Sequence, residues 1–236
     1  GGAQTLITVG AAQSNHCRQT AALAAQMGLG CVLVLSGEEP EQASGNVLLD
    51  KLFGAEIVWT TREKRSAALK AAFDTAWEAG RRPYMIPLGA SNGLGAAAFH
   101  DAFEEMTQQL GQIKVDWLVV ASSSGGTQAG LALGAKKDGW NGHVLGISID
   151  EGEHDLKETV AFLANEAADR IGLKTRLDPD DIMVNADFLG AGYGVLGEAE
   201  KEAIRLFAQT EGLLLDPVYT GRAAAGMIDL IRKGFM

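Results

Sequence analysis

The amino-acid sequence predicts an α/β fold of two domains, each with a parallel sheet between two layers of helices in a three-layer αβα arrangement. Short apolar segments alternate with alanine-rich segments along the whole chain, and the alanine-rich segments carry apolar residues at three- and four-residue spacing. Of the 236 residues, 47% are hydrophobic, so the chain has enough apolar side chains for one large core or two smaller ones.

Each strand is predicted from a short apolar run bounded by Gly, Asp or Ser. These runs lie at residues 6–9, 31–35, 56–59, 84–86, 117–121 and 144–149, and another short strand is expected directly before Asp216. Helices with one apolar face are predicted near residues 15–27, 45–53, 63–79, 94–110, 126–137, 154–171, 197–211 and 221–233. The turn-forming residues at 87–95 indicate a smaller domain over residues 1–92 and a larger one over 93–236.

Composition and charge argue against several classes of function. The 20 basic and 30 acidic residues give a net charge of −10, which disfavours binding to nucleic acids or anionic membranes. Cys17 and Cys31 form neither a disulfide framework nor a zinc-binding spacing, and we assign no metal site to the four scattered histidines. We therefore expect a protein of the reducing cytoplasm.

The loop at residues 10–16 lies between the first predicted strand and the first predicted helix. Parallel sheets bind ligands beyond the carboxyl ends of their strands. A helix N-terminus there offers unpaired N–H groups to an anion such as a carboxylate, and Ser14 and Asn15 add side-chain donors. Simple helix capping by the same residues is the alternative, and this loop by itself favours it.

The loop at residues 122–130, Ser-Ser-Ser-Gly-Gly-Thr-Gln-Ala-Gly, carries a stronger signal. Its small residues let successive N–H groups face one concave spot, where the hydroxyls of Ser124 and Thr127 would complete a phosphate cradle. The loop lacks the Gly-Lys-Ser/Thr of a P-loop and the G-x-G-x-x-G of a dinucleotide site. A tight strand-to-helix turn without a ligand is the alternative.

Two further loops carry tyrosines. Tyr193 lies among the glycines of residues 190–194, and Tyr219 and Thr220 directly precede the last predicted helix. A tyrosine in such a loop stacks on a ligand, exchanges a proton or anchors the loop at the surface, and these alternatives stay open at this point.

Taken in order, the four loops resemble the fold-type II pyridoxal-phosphate (PLP) enzymes, and within them the family of D-cysteine desulfhydrase and 1-aminocyclopropane-1-carboxylate (ACC) deaminase. The matching motifs are Gln-Ser-Asn-His-x-Arg-Gln-Thr at 13–20, Gly-Asn-Val-Leu-Leu-Asp at 45–50, Gly-Thr-Gln-Ala-Gly at 126–130 and Asp-Pro-Val-Tyr at 216–219. The resemblance covers essentially the whole chain. It implies a tryptophan-synthase-β-like fold, a PLP cofactor, a small amino-acid substrate and a homodimer at full length.

The resemblance also implies roles for individual residues. The cofactor-binding set would be Asn15, Ser123, Ser124, Gly125, Gly126, Thr127 and Thr220. The substrate carboxylate would be bound by Ser14, Asn15 and His16, and the catalytic group would be Ser14, Tyr193 and Tyr219.

Thr220 distinguishes between members of the family. ACC deaminases have a glutamate directly after the tyrosine of this motif, whereas desulfhydrases have a small hydroxyl residue, so Thr220 favours D-cysteine. The implied reaction is the α,β-elimination of D-cysteine to pyruvate, hydrogen sulfide and ammonia. Three alternatives stay open: an L-cysteate sulfo-lyase, an ACC deaminase, and a non-catalytic domain that keeps only the phosphate cradle.

The ends of the sequence do not resemble those of the family. There is no initiator methionine, no signal peptide and no membrane span, and the Gly-Gly-Asn-Lys-like motif with the Schiff-base lysine, expected upstream of the first strand, is not in this sequence. Lys51, Lys64 and Lys70 lie in predicted helices and are not assigned that role. The family's His-Thr-Gly-Gly segment, expected towards its C-terminus, is not in this sequence either. We therefore expect a chain truncated at both ends that is inactive alone.

Overall fold

The structure of the protein is a computed structural model that describes residues 2–236. The chain forms two compact units, and the boundary between them in the sequence lies between Ala90 and Ser91. Each unit contains one open parallel sheet with helices on both of its faces.

The first unit contains four parallel strands in the spatial order β3-β2-β1-β4. The strands are β1 (Thr5–Ala11), β2 (Gly30–Ser36), β3 (Glu56–Thr60) and β4 (Pro83–Met85). The connecting helices are α1 (Asn15–Gln26), α2 (Gly45–Leu52) and α3 (Arg65–Glu78).

Both faces of this sheet are buried, because alternate residues of a strand point to opposite faces and β1 and β2 are apolar on both. Leu6 and Leu33 pack on one face together with Cys17 of α1. Ile7 and Val32 pack on the other face against α3. The unit therefore has three layers, with the sheet in the middle.

The second unit contains three parallel strands in the order β5-β6-β7. The strands are β5 (Trp117–Ser122), β6 (His143–Ser148) and β7 (Met183–Asn185). The helices are α4 (Gly93–Leu110), α5 (Gly126–Asp138), α6 (Glu153–Ile171), α7 (Glu198–Thr210) and α8 (Thr220–Arg232).

The second sheet is also covered on both faces. Phe103 of α4 and Leu131 of α5 pack with Val144 on one face. On the other face, Ile147 packs with Ala223 of α8, and α7 covers α8 from outside. Because each pair of strands is parallel, the loops after β5 and β6 emerge at the same edge of the sheet.

These observations confirm the predicted α/β class with parallel sheets, with two differences in the elements. Strand β7 was not predicted, because three residues are too few to show a period. The strand predicted directly before Asp216 is wrong, since Leu213 and Leu214 are 54% and 89% exposed and join no sheet. Among the described residues, no helix combines the length and apolar character needed to cross a bilayer.

Candidate active site

The first unit presents the loop between β1 and α1. Ser14 is the N-cap of α1, and its buried Oγ accepts a hydrogen bond from the Cys17 N–H at 3.1 Å. A Cβ on Gly10 would lie 2.7 Å from the Ser14 Oγ, so only glycine allows the loop to close this tightly. The capping alternative is thus realised, and a hydrogen bond from the Ser14 hydroxyl to the Cys17 sulfur opposes part of the effect of burial on the Cys17 pKa.

The orientation of the Asn15 amide follows from its neighbours. Asn46 Nδ2 donates to the Gln13 carbonyl at 2.9 Å, and because a carbonyl only accepts, this atom of Asn46 must be the nitrogen. The same nitrogen lies 2.9 Å from Asn15 Oδ1. Asn15 therefore accepts from Asn46, and in the described part of the chain both protons of its own Nδ2 are left without an acceptor.

His16 is held by Thr8, a fully buried residue of β1. The Thr8 hydroxyl donates its single proton to the Ile86 carbonyl at 3.0 Å, so His16 Nε2, 2.7 Å from the same oxygen, must be the donor to Thr8. Burial lowers the pKa of His16, which favours the neutral ring. Its Nδ1 is then an acceptor, and this geometry does not favour the predicted contact with a carboxylate.

The second unit presents the predicted phosphate cradle between β5 and α5. Gly125 has a φ of 82°, and a Cβ there would lie 3.2 Å from a Val160 methyl group. The first helical hydrogen bond runs from the Ala129 N–H to the Gly125 carbonyl at 2.9 Å, so earlier N–H groups have no partner one turn back. The loop brings together the predicted cofactor residues Ser123, Ser124, Gly125, Gly126 and Thr127.

Ser91, which lies before α4, contacts this loop and was not revealed by the sequence. Its Oγ lies 2.7 Å from the Ser124 Oγ, to which it donates, and it accepts from the Gly126 N–H at 3.3 Å. Ser91 lies 33 residues before Ser124 along the chain. The only signal in the sequence is its place in the turn-rich segment before α4.

The cradle fits a phosphate group by the chemistry of its donors. A helix N-terminus with free N–H groups, left-handed Gly125 and three hydroxyl side chains provide hydrogen-bond donors and a favourable dipole. The Oγ of Ser122 is also buried without a hydrogen-bond partner among the described residues. This hydroxyl, directly before the cradle residues, is one further hydrogen-bonding group that a polar ligand would satisfy.

The two predicted tyrosines form one hydrogen-bonded pair. The Oη atoms of Tyr193 and Tyr219 lie 2.6 Å apart, with the rings edge to face at 6.1 Å between centroids. Burial raises the pKa of Tyr219 well above its ordinary value, and the hydrogen bond to Tyr193 raises it further. Tyr219 therefore stays protonated at neutral pH and is able to donate a hydrogen bond.

Asp216 organises the loop that carries Tyr219. Its Oδ1 accepts from the Tyr219 N–H at 2.7 Å, and its Oδ2 accepts from the Thr220 N–H at 2.9 Å and the Thr220 hydroxyl at 2.8 Å. Burial alone would raise the pKa of Asp216, but these hydrogen bonds outweigh it and lower the pKa. The Thr220 proton is thus already used, so Thr220 would meet a cofactor only as an acceptor.

The cradle and the tyrosine pair lie at the same edge of the second sheet. The cradle follows β5, and the Ile149 N–H, directly after β6, donates to the Ser122 carbonyl at 3.0 Å. Arg222, in the first turn of the helix that follows Tyr219, donates to the Ile149 carbonyl at 2.8 Å. Ser14, Asn15 and His16 belong to the first unit, where one loop brings them together.

Several other groups lie outside these loops. Lys51 and Lys70 form ion pairs on α2 and α3, with Glu39 and Asp74. The pKa of Cys17 and that of Cys31 are each raised by burial to about 12, which makes both thiols unreactive at neutral pH.

His100, Asp101 and Glu104 lie close together on α4. Lys137 forms an ion pair with Glu104 and neutralises this carboxylate. We therefore assign no metal to this group.

Comparison with known proteins agrees with this geometry. The sequence profile of the family described as "Pyridoxal-phosphate dependent enzyme" matches residues 1–236. A D-cysteine desulfhydrase of Klebsiella pneumoniae is 41% identical over 239 residues, which is 98% of this chain and 72% of that protein. An ACC deaminase of Methylobacterium nodulans is 37% identical over 246 residues, which is 99% of this chain and 73% of that protein.

Solved structures give the same relation. The crystal structure of an ACC deaminase homologue superposes with a TM-score of 0.87 at 36% identity, over 99% of this chain and 70% of that one. An O-ureido-L-serine synthase, with a TM-score of 0.64 and 15% identity, shares the fold. The chain therefore belongs to the PLP-dependent enzyme family, in the group that contains D-cysteine desulfhydrase and ACC deaminase, and its cofactor is PLP.

Proposed function

We propose that the protein converts D-cysteine and water to pyruvate, hydrogen sulfide and ammonia. The observation that carries this proposal is Thr220, a neutral hydroxyl residue. By the family resemblance, ACC deaminases have a glutamate at this position. Because residue 220 is a threonine, this position has no carboxylate. Its hydroxyl donates a hydrogen bond to Asp216. The 41% identity to a protein named D-cysteine desulfhydrase supports the same substrate.

The cofactor supplies the electron sink that stabilises negative charge at the substrate's α-carbon. Ser123, Ser124 and Thr127 would hold its phosphate with their hydroxyls, and Gly125 with its backbone N–H. Gly126, whose N–H donates to Ser91 Oγ at 3.3 Å, would line the cradle. Ser91 would orient the Ser124 hydroxyl through the 2.7 Å hydrogen bond between them. Thr220 would contact the cofactor as an acceptor, because its own proton goes to Asp216.

The substrate carboxylate would be bound in the first unit by Ser14 and Asn15. Ser14 would turn its hydroxyl from the Cys17 sulfur to the carboxylate, and Asn15 has two amide protons without an acceptor among the described residues because Asn46 occupies its oxygen. Such donors fix the direction in which the α-C–H bond points. His16 would support this loop from below through Thr8 instead of contacting the carboxylate.

The tyrosine pair would assist the departure of sulfur. When the C–S bond breaks, its electron pair goes to sulfur, and a nearby hydroxyl stabilises the developing thiolate by donating a hydrogen bond to it. Tyr219 suits this role because its raised pKa keeps the proton on its own oxygen. Tyr193, at 2.6 Å, would orient the Tyr219 hydroxyl through the hydrogen bond between them.

The test uses the protein at its full natural length with PLP. We expect an absorption band of the bound cofactor, and pyruvate with sulfide in equal amounts from D-cysteine but not from L-cysteine. Sulfite from L-cysteate would instead identify a sulfo-lyase, and ring opening of ACC would identify a deaminase. A cofactor band without turnover of any of these substrates would favour a non-catalytic binding role.

We further propose a cytoplasmic homodimer. Two buried, unpaired cysteines suit a reducing compartment. Homodimers are usual in the family that the sequence resembles. Sedimentation velocity of the full-length protein at two concentrations would test the dimer, and a single species of monomer mass would contradict it.

A further inference from the structure

Arg222 is the most deeply buried charged side chain next to the tyrosine pair. It lies in the first turn of α8 and is 1% exposed. Its Nε donates to Glu200 Oε1 at 3.0 Å, and its Nη1 donates to the Ile149 carbonyl at 2.8 Å. Its Nη2 lies 3.2 Å from the carbonyls of both Gly192 and Val195. One guanidinium therefore joins α8, α7, the end of β6 and the loop at residues 190–197.

This loop is the one that carries Tyr193. Gly192 and Val195 flank Tyr193 in the sequence, and Arg222 donates hydrogen bonds to the carbonyls of both. Glu200 adds a third anchor, because its Oε2 accepts from the Gly197 N–H at 3.1 Å. The Arg222–Glu200 pair therefore holds the tyrosine loop on both sides of the ring.

The loop has little stiffness of its own. Gly190, Gly192 and Gly194 all have positive φ angles, and a glycine backbone loses the most conformational freedom on ordering. A single hydrogen bond between two hydroxyls does not by itself fix such a segment. The position of the Tyr193 ring must therefore depend on the three anchors.

A second observation indicates that this pair does more than stabilise the fold. Both partners are almost fully buried, and the desolvation of two buried charges commonly offsets their attraction. Three of the four acceptors of Arg222 are backbone carbonyls. If apolar residues of the same size replaced Arg222 and Glu200, these carbonyls would lose their donor. The bonds to Gly192 and Val195 converge on the one segment that carries Tyr193.

We infer that Arg222, together with Glu200, is a positioning residue that sets the Tyr193 hydroxyl against the Tyr219 hydroxyl. Arg222 acts through the tyrosine loop and does not itself touch the substrate. The inference depends on the proposed function only for the claim that the tyrosine pair serves the leaving sulfur.

The Arg222→Lys variant separates the ion pair with Glu200 from the positioning of the tyrosine loop. An ammonium group can still pair with Glu200, but a single nitrogen cannot also span the Ile149 carbonyl and the two loop carbonyls, as the planar guanidinium does. Arg222→Lys therefore keeps the buried charge and loses the anchors of the loop. Glu200→Gln is the second variant, since it keeps the size of the side chain and weakens the pair.

The chain offers a matched control between the same two helices. Arg232 of α8 and Glu202 of α7 form an ion pair at 2.6 Å, and both side chains are more than half exposed. Arg232→Lys and Glu202→Gln therefore change the same residue types between α7 and α8 without touching the loop.

The experiment compares these variants in the full-length holoenzyme. For Arg222→Lys we expect a PLP Kd and a substrate KM within about twofold of the wild type and a kcat lower by about tenfold, because misplacing one catalytic group slows the reaction without weakening binding. The 13C NMR signals of the Tyr193 and Tyr219 rings, assigned with Tyr→Phe variants, should shift. Arg232→Lys should change none of these quantities.

A double-mutant cycle decides whether Arg222 acts through Tyr193. In a Tyr193→Phe background, Arg222→Lys should lower kcat by less than about twofold, since the hydroxyl it positions is gone. An equal loss of kcat in both backgrounds would overturn the inference, as would unchanged tyrosine signals with only a lower Tm. If D-cysteine is not turned over by the wild type, the proposed function fails, and the NMR signals still test the positioning.

Discussion

Asn46 Nδ2 lies 2.9 Å from Asn15 Oδ1, and this contact decides which end of the Asn15 amide is available to a ligand. In the Asn46→Asp variant, a carboxylate oxygen would face the Asn15 oxygen. The Asn15 amide would then turn over, so that its nitrogen faces residue 46 and its oxygen faces the ligand. For Asn46→Asp we expect the KM for the amino-acid substrate to rise about tenfold, the value of one hydrogen bond to a charged group. Steady-state kinetics would measure it. Asn141→Ala, at an exposed position, is the control, and an unchanged KM in Asn46→Asp would contradict the assignment.

Ser91→Ala tests the hydroxyl that supports the phosphate cradle. The substitution removes the donor to Ser124 and the acceptor of the Gly126 N–H. We expect the Kd for PLP to rise about three- to tenfold, because one or two neutral hydrogen bonds stop orienting the cradle. Fluorescence titration with PLP would measure it. Ser66→Ala, on the exposed face of α3, should bind PLP as the wild type does.

Tyr219→Phe tests hydrogen-bond donation to the leaving group. Loss of one preorganised donor to developing negative charge typically costs about 100-fold in rate, so kcat should fall by that order while the Kd for PLP stays the same. Since the pKa of Tyr219 is raised, we also expect no loss of kcat from its deprotonation up to about pH 9 in the wild type. Tyr84→Phe, in β4 and 46% exposed, provides the control. A kcat near the wild-type value in Tyr219→Phe would remove the residue from the mechanism.

Asp50 should make the stability of the protein depend on pH. It is fully buried in α2, its carboxyl oxygens have no partner among the described residues, and burial raises its pKa from 3.8 to about 6 against a smaller opposite effect of Arg18. Because the folded-state pKa is the higher one, folding favours the protonated form. Stability from this group is full below about pH 4 and is lost as the pH rises through about 6.

Asp50→Asn should therefore raise the Tm by several degrees at pH 7 to 8, where Asp50 carries an unfavourable buried charge, and should have little effect near pH 4. Thermal unfolding followed by circular dichroism across this range would show the difference. A gain in Tm of the same size at both ends of the range would mean that the carboxyl is not protonated on folding.

The alternation of elements could be predicted from the sequence because strands such as β1 and β2 are apolar at nearly every position. The candidate site was predictable only where a motif lies within one loop, as in the cradle before α5. Ser91 and Glu200 were missed, and Asn46 lay in a recognised motif without an assigned contact, since their partners lie 33, 22 and 31 residues away and no local pattern reports such a contact. The hydrogen bonds of Thr8 to His16 and of Thr220 to Asp216 were likewise not predicted, and the roles of His16 and Thr220 stay predictions.

The strand order of the first unit has a consequence for how its ligand loop arises. From β1 the chain steps outward to β2 and β3, and then returns past β1 to place β4 on the opposite side. Connections that leave neighbouring strands in opposite directions open a crevice at the carboxyl edge of the sheet, and the loop of Ser14 and Asn15 begins at this point of reversal. The strand order thus decides where a ligand loop arises in this unit, and substitutions in the loop would alter which molecule binds there.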